Sequence, residues 1–136
     1  MKNLRKKKIR VNAVNIASEW KRFEKNIQGV VDLMYGLYTI EDILENVING
    51  DYEFWTTTDS ALITAVQVYP RKSVLHLFVA CGNLEELQQL YLEAEEYARD
   101  KGCEYITILG RAGWERSFLT TDHGFKVMCS ELIKEL

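Results

Sequence analysis

The chain has 136 residues, of which 47% are hydrophobic and 27% charged, the balance expected of one globular domain. No run reaches the roughly 20 apolar residues of a membrane-spanning helix, so we expect no membrane partner. The cysteines are three, far apart and odd in number, which argues against a disulfide framework and favours a reduced, cytoplasmic protein; they are Cys81, Cys103 and Cys129.

The formal net charge of −3 conceals an uneven distribution of basic residues. Six of the 17 basic residues precede position 11, and the rest of the chain has 11 basic against 20 acidic residues. We therefore expect a basic N-terminal arm over residues 1–12 and a single domain over residues 13–136. Such an arm could contact an acidic surface or nucleic acid, or it could be a solvated terminus.

Two helices are predicted before position 51. Apolar residues at helical spacing from Ile16 to Ile27 indicate a first helix that ends near Gly29. Thr39 is a suitable N-cap with Asp42 three residues later, which predicts the start of a second helix. Its apolar stripe is followed by Asn49 and Gly50, which mark its end.

Three strands should follow as an antiparallel meander. Residues 52–58 and 60–69 have strand-like composition and are separated by Asp59-Ser60, which suggests a hairpin. The only proline lies in the segment Tyr69-Pro70-Arg71-Lys72 and predicts the next turn. The third strand begins near Val74 and is almost wholly apolar, as in a strand covered on both faces.

A helical crossover to a parallel strand is the best-marked unit of the sequence. Asn83 and Glu86 have the spacing of a capping box, and Lys101-Gly102 is a suitable helix end. The apolar segment that follows, residues 103–110, predicts the parallel partner strand. The helix should bury one stripe of residues: Leu84, Leu87, Leu90, Tyr91, Ala94, Tyr97 and Ala98.

The C-terminal part should contain a short helix and a last strand. Glycines at 110 and 113 break the fourth strand, residues 114–121 predict the helix, and Asp122-His123-Gly124 predicts a turn. Residues 125–136 are then expected to form a long final strand. The element order predicts an α+β fold with a mixed, mostly antiparallel sheet and flanking helices.

This order of elements resembles the GNAT fold of acyl-CoA N-acyltransferases. The resemblance is closest to small GNAT-like proteins of bacteriophages and prophages, and it covers most of the chain from about Trp20 onward. It implies a phage-encoded protein of the host cytoplasm or the virion. The segments that carry it are LYTIEDILENVINGDYEFW, YPRK, ARDKGCEYITILGRAGWER and GFKVMCSELIKEL.

The resemblance implies acetyl-CoA as cofactor, with its pyrophosphate on the amide groups that begin the crossover helix. The corresponding turn here has one glycine, and Glu85 and Glu86 in the first helical turn would repel a pyrophosphate. Arg111 and Arg116 could hold an anion, and Trp114 could stack on a ligand; equally, Trp114 could anchor the short helix while the arginines pair with acidic neighbours. The expected cofactor-binding residues are Cys81, Gly82, Asn83, Arg111 and Trp114. No metal is expected, because no metal-ligand spacing is present.

The catalytic groups implied by the resemblance are incomplete. The tyrosine that usually protonates the leaving thiolate is replaced by Thr120, four residues before the Gly124-Phe125 pair. His76 on the third strand or Glu53 on the first could act as the base. Alternatively, His76 is a hydrogen-bonded core residue, Glu53 faces solvent, and His123 only shapes its turn.

Two functions therefore remain open at the level of sequence. The first is an acyl-CoA-dependent N-acetyltransferase that modifies an amine. The second is a non-catalytic GNAT-fold protein that acts by binding a protein partner, for example as an accessory virion component or an inhibitor of a host protein. The altered pyrophosphate turn, the absent tyrosine and the basic arm favour the second, and the resemblance favours the first.

Overall fold

A computed structural model describes residues 10–109 and 118–136. Within them the chain forms a four-stranded sheet flanked by helices on both faces, the α+β arrangement predicted from the sequence. The helices are α1 (Ile16–Val31), α2 (Ile40–Asn49), α3 (Leu84–Asp100) and α4 (Phe118–Asp122); the strands are β1 (Glu53–Thr56), β2 (Ala61–Val68), β3 (Ser73–Cys81) and β4 (Tyr105–Ile108).

The strand order in the sheet is β1-β2-β3-β4. β1, β2 and β3 are antiparallel neighbours, and β4 is parallel to β3, so the predicted meander and helical crossover are confirmed. The β1–β2 hairpin closes with a 2.9 Å hydrogen bond from the Thr57 amide to the Ser60 carbonyl oxygen. The β2–β3 turn closes in the same way, between the Tyr69 amide and the Lys72 carbonyl oxygen.

Each face of the sheet carries its own hydrophobic core. On one face α1 and α2 pack against β-strand residues such as Phe54, Ile63 and Val79. On the other face α3 and α4 pack against Leu75 and Leu77. Because β3 contributes to both cores, its nearly continuous apolar sequence follows from its central position.

The helix ends match the prediction for α2 but not for α1. Thr39 and Asp42 form a complete capping box, and Gly50 ends the helix with φ +85°. α1 continues past Gly29 to Val31, and the side chain of its N-cap residue, Asn15, makes no capping hydrogen bond. The prediction of both helices is confirmed, with α1 two residues longer than expected.

At the start of α3 the structure differs from the prediction in two ways. The Asn83 side chain accepts a hydrogen bond from the Glu86 amide, but the Asn83 amide donates to Ser60 Oγ and not to the Glu86 carboxylate, which accepts from the β1–β2 hairpin. Leu84 was expected in the buried stripe, but its side chain is 63% exposed. As the first helical residue it precedes the turns of α3 that lie over the sheet.

The predicted final strand is wrong. Residues 124–136 form neither helix nor strand, and residues 126–136 are exposed. Strand-forming side chains stabilise a strand only where a neighbouring backbone accepts and donates its hydrogen bonds, and no described strand pairs with this segment. Only its beginning is fixed, where the Phe125 amide bonds to the Leu119 carbonyl oxygen and the Phe125 ring packs on Tyr91.

At the other terminus, Arg10 and Val11 lie against β1. Arg10 forms an antiparallel bridge with Trp55, and the Val11 amide donates a 2.7 Å hydrogen bond to the Phe54 carbonyl oxygen. Val11 is buried in the α1/α2 core. These two residues, assigned to the arm from the sequence, thus contact the sheet, while residues 1–9 lie outside the described part of the chain. None of the described helices is both long and apolar enough to cross a bilayer.

Candidate active site

The parallel strands β3 and β4 are paired along only part of β3. Pairing runs from Val74 opposite Tyr105 to Leu77 opposite Ile108, and β3 then continues for four residues beside β2. A register shift against β2 leaves Phe78 as the extra residue of a β-bulge between Leu77 and Val79. Among the described residues, the last four residues of β3 have no strand on the β4 side.

His76 lies one pair before this opening. Its Nδ1 atom is 2.8 Å from Thr107 Oγ1 on the paired residue of β4. Its Nε2 atom makes no hydrogen bond to any residue that the structure describes. Burial lowers the pKa of His76 from its ordinary value of 6.5, so the imidazole is neutral near pH 7. A neutral ring fixed through Nδ1 is suited to accept a proton at Nε2.

Aromatic residues continue from His76 across the α1/α2 face. The Phe78 ring lies 6.1 Å from the His76 ring, 5.0 Å from Tyr38 and 5.4 Å from Tyr52, measured between centroids. Tyr38 comes from the loop between α1 and α2 and is 36% exposed. We call these four residues the aromatic surface. Strand alternation places His76 and Phe78 on one face, as the sequence indicates, but the sequence did not reveal that Tyr38 and Tyr52 join them from other segments of the chain.

The turn between β3 and α3 packs tightly on the β1–β2 hairpin. Gly82 has φ +124°, and a β-carbon added there would overlap the side chain of Ser60. Ser60 Oγ also accepts a 3.0 Å hydrogen bond from the Asn83 amide. Burial raises the pKa of the preceding Cys81 thiol. The expected cofactor-binding residues Cys81, Gly82 and Asn83 are therefore contiguous at the end of β3, close to the opening between the strands.

The amino end of α3 has both favourable and unfavourable groups for an anion. The amides of Leu84 and Glu85 hydrogen-bond to no described residue, so they are available to a ligand. Glu86 directs its carboxylate to the hairpin, accepting from Thr57 Oγ1 at 2.6 Å and from the Asp59 amide at 3.0 Å. The bond from Thr57 holds the pKa of Glu86 below its usual range, so the group is anionic at neutral pH.

Glu53, the second candidate base, lies on the opposite face of the sheet from His76. Its carboxylate accepts hydrogen bonds from Thr64 Oγ1 at 2.6 Å and from the Tyr97 hydroxyl at 3.3 Å. Thr64 Oγ1 in turn accepts from Trp55 Nε1, and the Arg10 guanidinium lies over the Tyr97 ring. Burial raises the pKa of Glu53. The sequence pattern suggested a solvent-facing carboxylate, but the side chain is a buried member of a hydrogen-bonded network beneath α3.

On that same face a small apolar cavity of about 10 Å³ lies beside the separating strands. Its walls include Leu77 and Ala80 from β3, Ile108 from β4 and Tyr91 from α3. Burial raises the pKa of Tyr91 to about 12, so its hydroxyl keeps its proton throughout the neutral range. Thr120, which stands where the resemblance implies a tyrosine, lies within α4.

Two expected ligand-binding residues, Arg111 and Trp114, fall within residues 110–117 and lie outside the described residues. A cleft of about 600 Å³ lies at the β1 edge of the sheet and includes Arg10, Glu53 and Glu93. It is separated from the β3–β4 opening by the width of the sheet. Within residues 10–109 and 118–136 no group of three or more histidine, cysteine or acidic side chains is placed to hold a metal ion.

Comparison of the fold with solved structures gives consistent matches over nearly the whole chain. A probable acetyltransferase matches with a TM-score of 0.66 at 10% identity, covering 94% of each chain. An aminoglycoside acetyltransferase from an uncultured soil metagenomic sample, solved with sisomicin, matches with a TM-score of 0.60 at 11% identity, covering 93% of this chain and 91% of that one.

A GNAT family acetyltransferase from Staphylococcus aureus matches with a TM-score of 0.59 at 15% identity, covering 93% of this chain and 96% of that one. No protein-family model and no curated protein sequence matches the chain. Structural matches at such low sequence identity establish the fold alone. The chemistry has to be argued from the residues of the site. The chain therefore has the GNAT fold.

Proposed function

We propose that this protein is an acyl-CoA-dependent N-acyltransferase. The observation that carries the proposal is the position of His76, a neutral imidazole tied to Thr107 at the last residues before β3 and β4 separate. The acetyltransferases among the structural neighbours support the same class.

His76 would act as the general base. With hydrogen on Nδ1 donated to Thr107 Oγ1, the Nε2 lone pair is free to take a proton from an incoming ammonium group. The low pKa of His76 keeps that lone pair available at neutral pH, and Thr107 fixes the plane of the ring. Because the neighbouring aromatic surface lies on the same face, the amine would approach from the α1/α2 side.

Acetyl-CoA, when bound, supplies the activated acyl group. The amides of Leu84 and Glu85, which bond to no described residue, and the exposed turn at Gly82 and Asn83 fit an anionic portion at the start of α3. Arg111 and Trp114 are proposed to contribute to the same binding. The carboxylates of Glu85 and Glu86 oppose it, so we expect weaker binding than a neutral first turn would give.

The test combines ligand-induced stabilisation with thiol release. Acetyl-CoA at about 100 times its Kd should stabilise the fold by about 2.7 kcal/mol, and free thiol should appear when an amine is added. His76→Gln should keep the stabilisation and lose thiol release. The matched control is His123→Gln, which changes the other of the two histidines in the sequence. His123 packs on Tyr91 at the opposite side of the sheet, so this variant should retain thiol release. Equal rates in the two variants would contradict the role of His76.

A second candidate is a GNAT-fold protein that binds a partner without catalysis, and the anionic first turn of α3 favours it. In this case the Glu86 carboxylate has a structural role, as the acceptor of two hydrogen bonds from the hairpin, and the amino end of α3 binds no cofactor. Absence of stabilisation of the parent protein by millimolar acetyl-CoA would favour this candidate, whereas stabilisation that Arg111→Ala abolishes would favour the acyltransferase. Partner capture with and without residues 1–9 would then test the proposed contribution of the basic arm and the phage-type role that the sequence resemblance implies.

A further inference from the structure

The sequence between Lys25 and Arg71 contains no lysine, arginine or histidine. This stretch includes the α1–α2 loop, α2, β1 and all of β2. The α1–α2 loop, α2 and β1, which lie near the aromatic surface, therefore have acidic side chains and no basic ones. The acidic residues of the stretch are Asp32, Glu41, Asp42, Glu45, Asp51, Glu53 and Asp59.

The negative charge acts directly on the aromatic surface. The pKa of the Tyr52 hydroxyl is raised, first by burial, then by the neighbouring Tyr38 hydroxyl and by the charges of Asp51 and Asp42. Burial disfavours a tyrosinate and a cation alike, whereas the contribution of the Asp51 and Asp42 charges disfavours the tyrosinate and favours a cation at the same place. Asp42 is engaged in the α2 capping box, whereas the Asp51 carboxylate accepts no hydrogen bond from a described residue.

The rings themselves offer a second attraction for a cation. Phe78 is held between Tyr38 and Tyr52, and its ring is adjacent to that of His76. The face of an aromatic ring attracts an ammonium group within about 6 Å of its centroid. An amine chain lying along this surface can thus place one nitrogen near His76 and another over the rings beside Asp51.

We propose that the acceptor is a polycationic amine, such as a linear di- or triamine, whose second ammonium group binds on the Tyr38–Tyr52–Phe78 rings near Asp51. This inference rests on the proposed function and specifies its acceptor. One nitrogen–carbon bond forms as the carbon–sulfur bond of the thioester breaks. Of the two protons that the acceptor ammonium loses, one ends on the thiol and one leaves through His76 to water.

The experiment compares acceptors that differ only in the second charge. Thiol release from acetyl-CoA is measured with spermidine, putrescine and butylamine, at low and physiological salt, in the parent protein and in Asp51→Asn. Removing one carboxylate beside a surface cation should raise KM for spermidine about twofold to fivefold, with kcat unchanged. The KM for butylamine should not change. Asp100→Asn, at the far end of α3, is the control for loss of one charge.

Tyr38→Leu is the second variant, because it removes one ring and keeps an apolar side chain. This variant should raise KM for spermidine more than KM for butylamine, and unfolding measurements check that it remains folded. A kcat/KM for butylamine equal to that for spermidine, or equal effects of Asp51→Asn and Asp100→Asn, would overturn the polyamine inference and leave the acyltransferase proposal standing. Failure to release thiol with any amine, despite acetyl-CoA binding, would instead overturn the proposed function and the inference with it.

Discussion

Ser60 occupies the space that a side chain at position 82 would need. A β-carbon built on Gly82 would lie only 2.5 Å from the Ser60 α-carbon, closer than real β-carbons approach backbone atoms. The same serine accepts the hydrogen bond of the Asn83 amide. The β1–β2 hairpin and the start of α3 are thereby fixed against each other, at the place where we propose that the cofactor binds.

Gly82→Ala should destabilise the protein by more than about 2 kcal/mol, because it combines overlap with Ser60 and a backbone angle that favours glycine. Gly29→Ala is the matched control. Gly29 lies inside α1 with nothing within 4 Å of an added β-carbon, so the change should stabilise by up to about 1 kcal/mol. Urea unfolding measures both. A neutral Gly82→Ala would show that the hairpin yields readily to a larger residue.

Glu85→Gln should strengthen acetyl-CoA binding. It removes a negative charge from the amino end of α3 without breaking a side-chain hydrogen bond, since none is formed with a described residue. We expect Kd to fall about twofold to fivefold at low salt and less at high salt. Calorimetry with Glu96→Gln, an equal charge change on an exposed part of the same helix, provides the comparison. An unchanged Kd would place the anionic part of the cofactor elsewhere.

His76 should titrate below pH 6.5, its ordinary value. Because the fold disfavours the charged ring, this histidine contributes stability that is complete above pH 6.5 and is lost as pH falls toward its lowered pKa. Nuclear magnetic resonance titration of the imidazole signals measures the midpoint, with His76→Gln to assign them. A midpoint above 6.5 would mean that the hydrogen bond with Thr107 or an acidic neighbour stabilises the cation more than burial destabilises it.

Glu53→Gln should remove a pH dependence of stability. The raised pKa means that the unfolded carboxyl ionises near 4.5 while the folded one retains its proton, so stability falls as pH rises through that interval. The amide variant should match the parent at pH 4 and be equally or more stable at pH 8. Glu104→Gln, an exposed residue paired with Lys72, is the control. Marked loss of stability at pH 8 would indicate that the ionised carboxylate is stabilised by Arg10.

Local patterns predicted most of the fold because they act within a few residues. The Thr39–Asp42 capping box, the glycine at 50 and the turn at Tyr69–Lys72 all appear where the sequence indicates. The final strand failed because strand formation depends on a distant partner that no local pattern records. The prediction that Leu84 is buried was wrong for a related reason, because helical periodicity does not indicate which turn of a helix extends beyond the sheet.

The candidate site was only partly accessible from sequence. His76 was identified by its type and strand, but its partner Thr107 is 31 residues away. Glu53 was assumed to face solvent, and its partner Tyr97 is 44 residues away. Strand alternation puts Phe78 on the face of His76, but no local pattern in the sequence indicates that Tyr38 and Tyr52 pack on the Phe78 ring.

The tip of the β1–β2 hairpin is held from both layers of the molecule. Arg22 of α1 donates to the carbonyl oxygens of Thr57 and Thr58, while Glu86 of α3 accepts from Thr57 Oγ1 and the Asp59 amide. These five residues thus form a joint between α3, whose amino end is the proposed cofactor surface, and α1, which leads into the loop that carries Tyr38 of the aromatic surface. If ligand binding at one proposed surface strains this joint, it would change affinity at the other, and thermodynamic linkage would require the two effects to be equal in both directions.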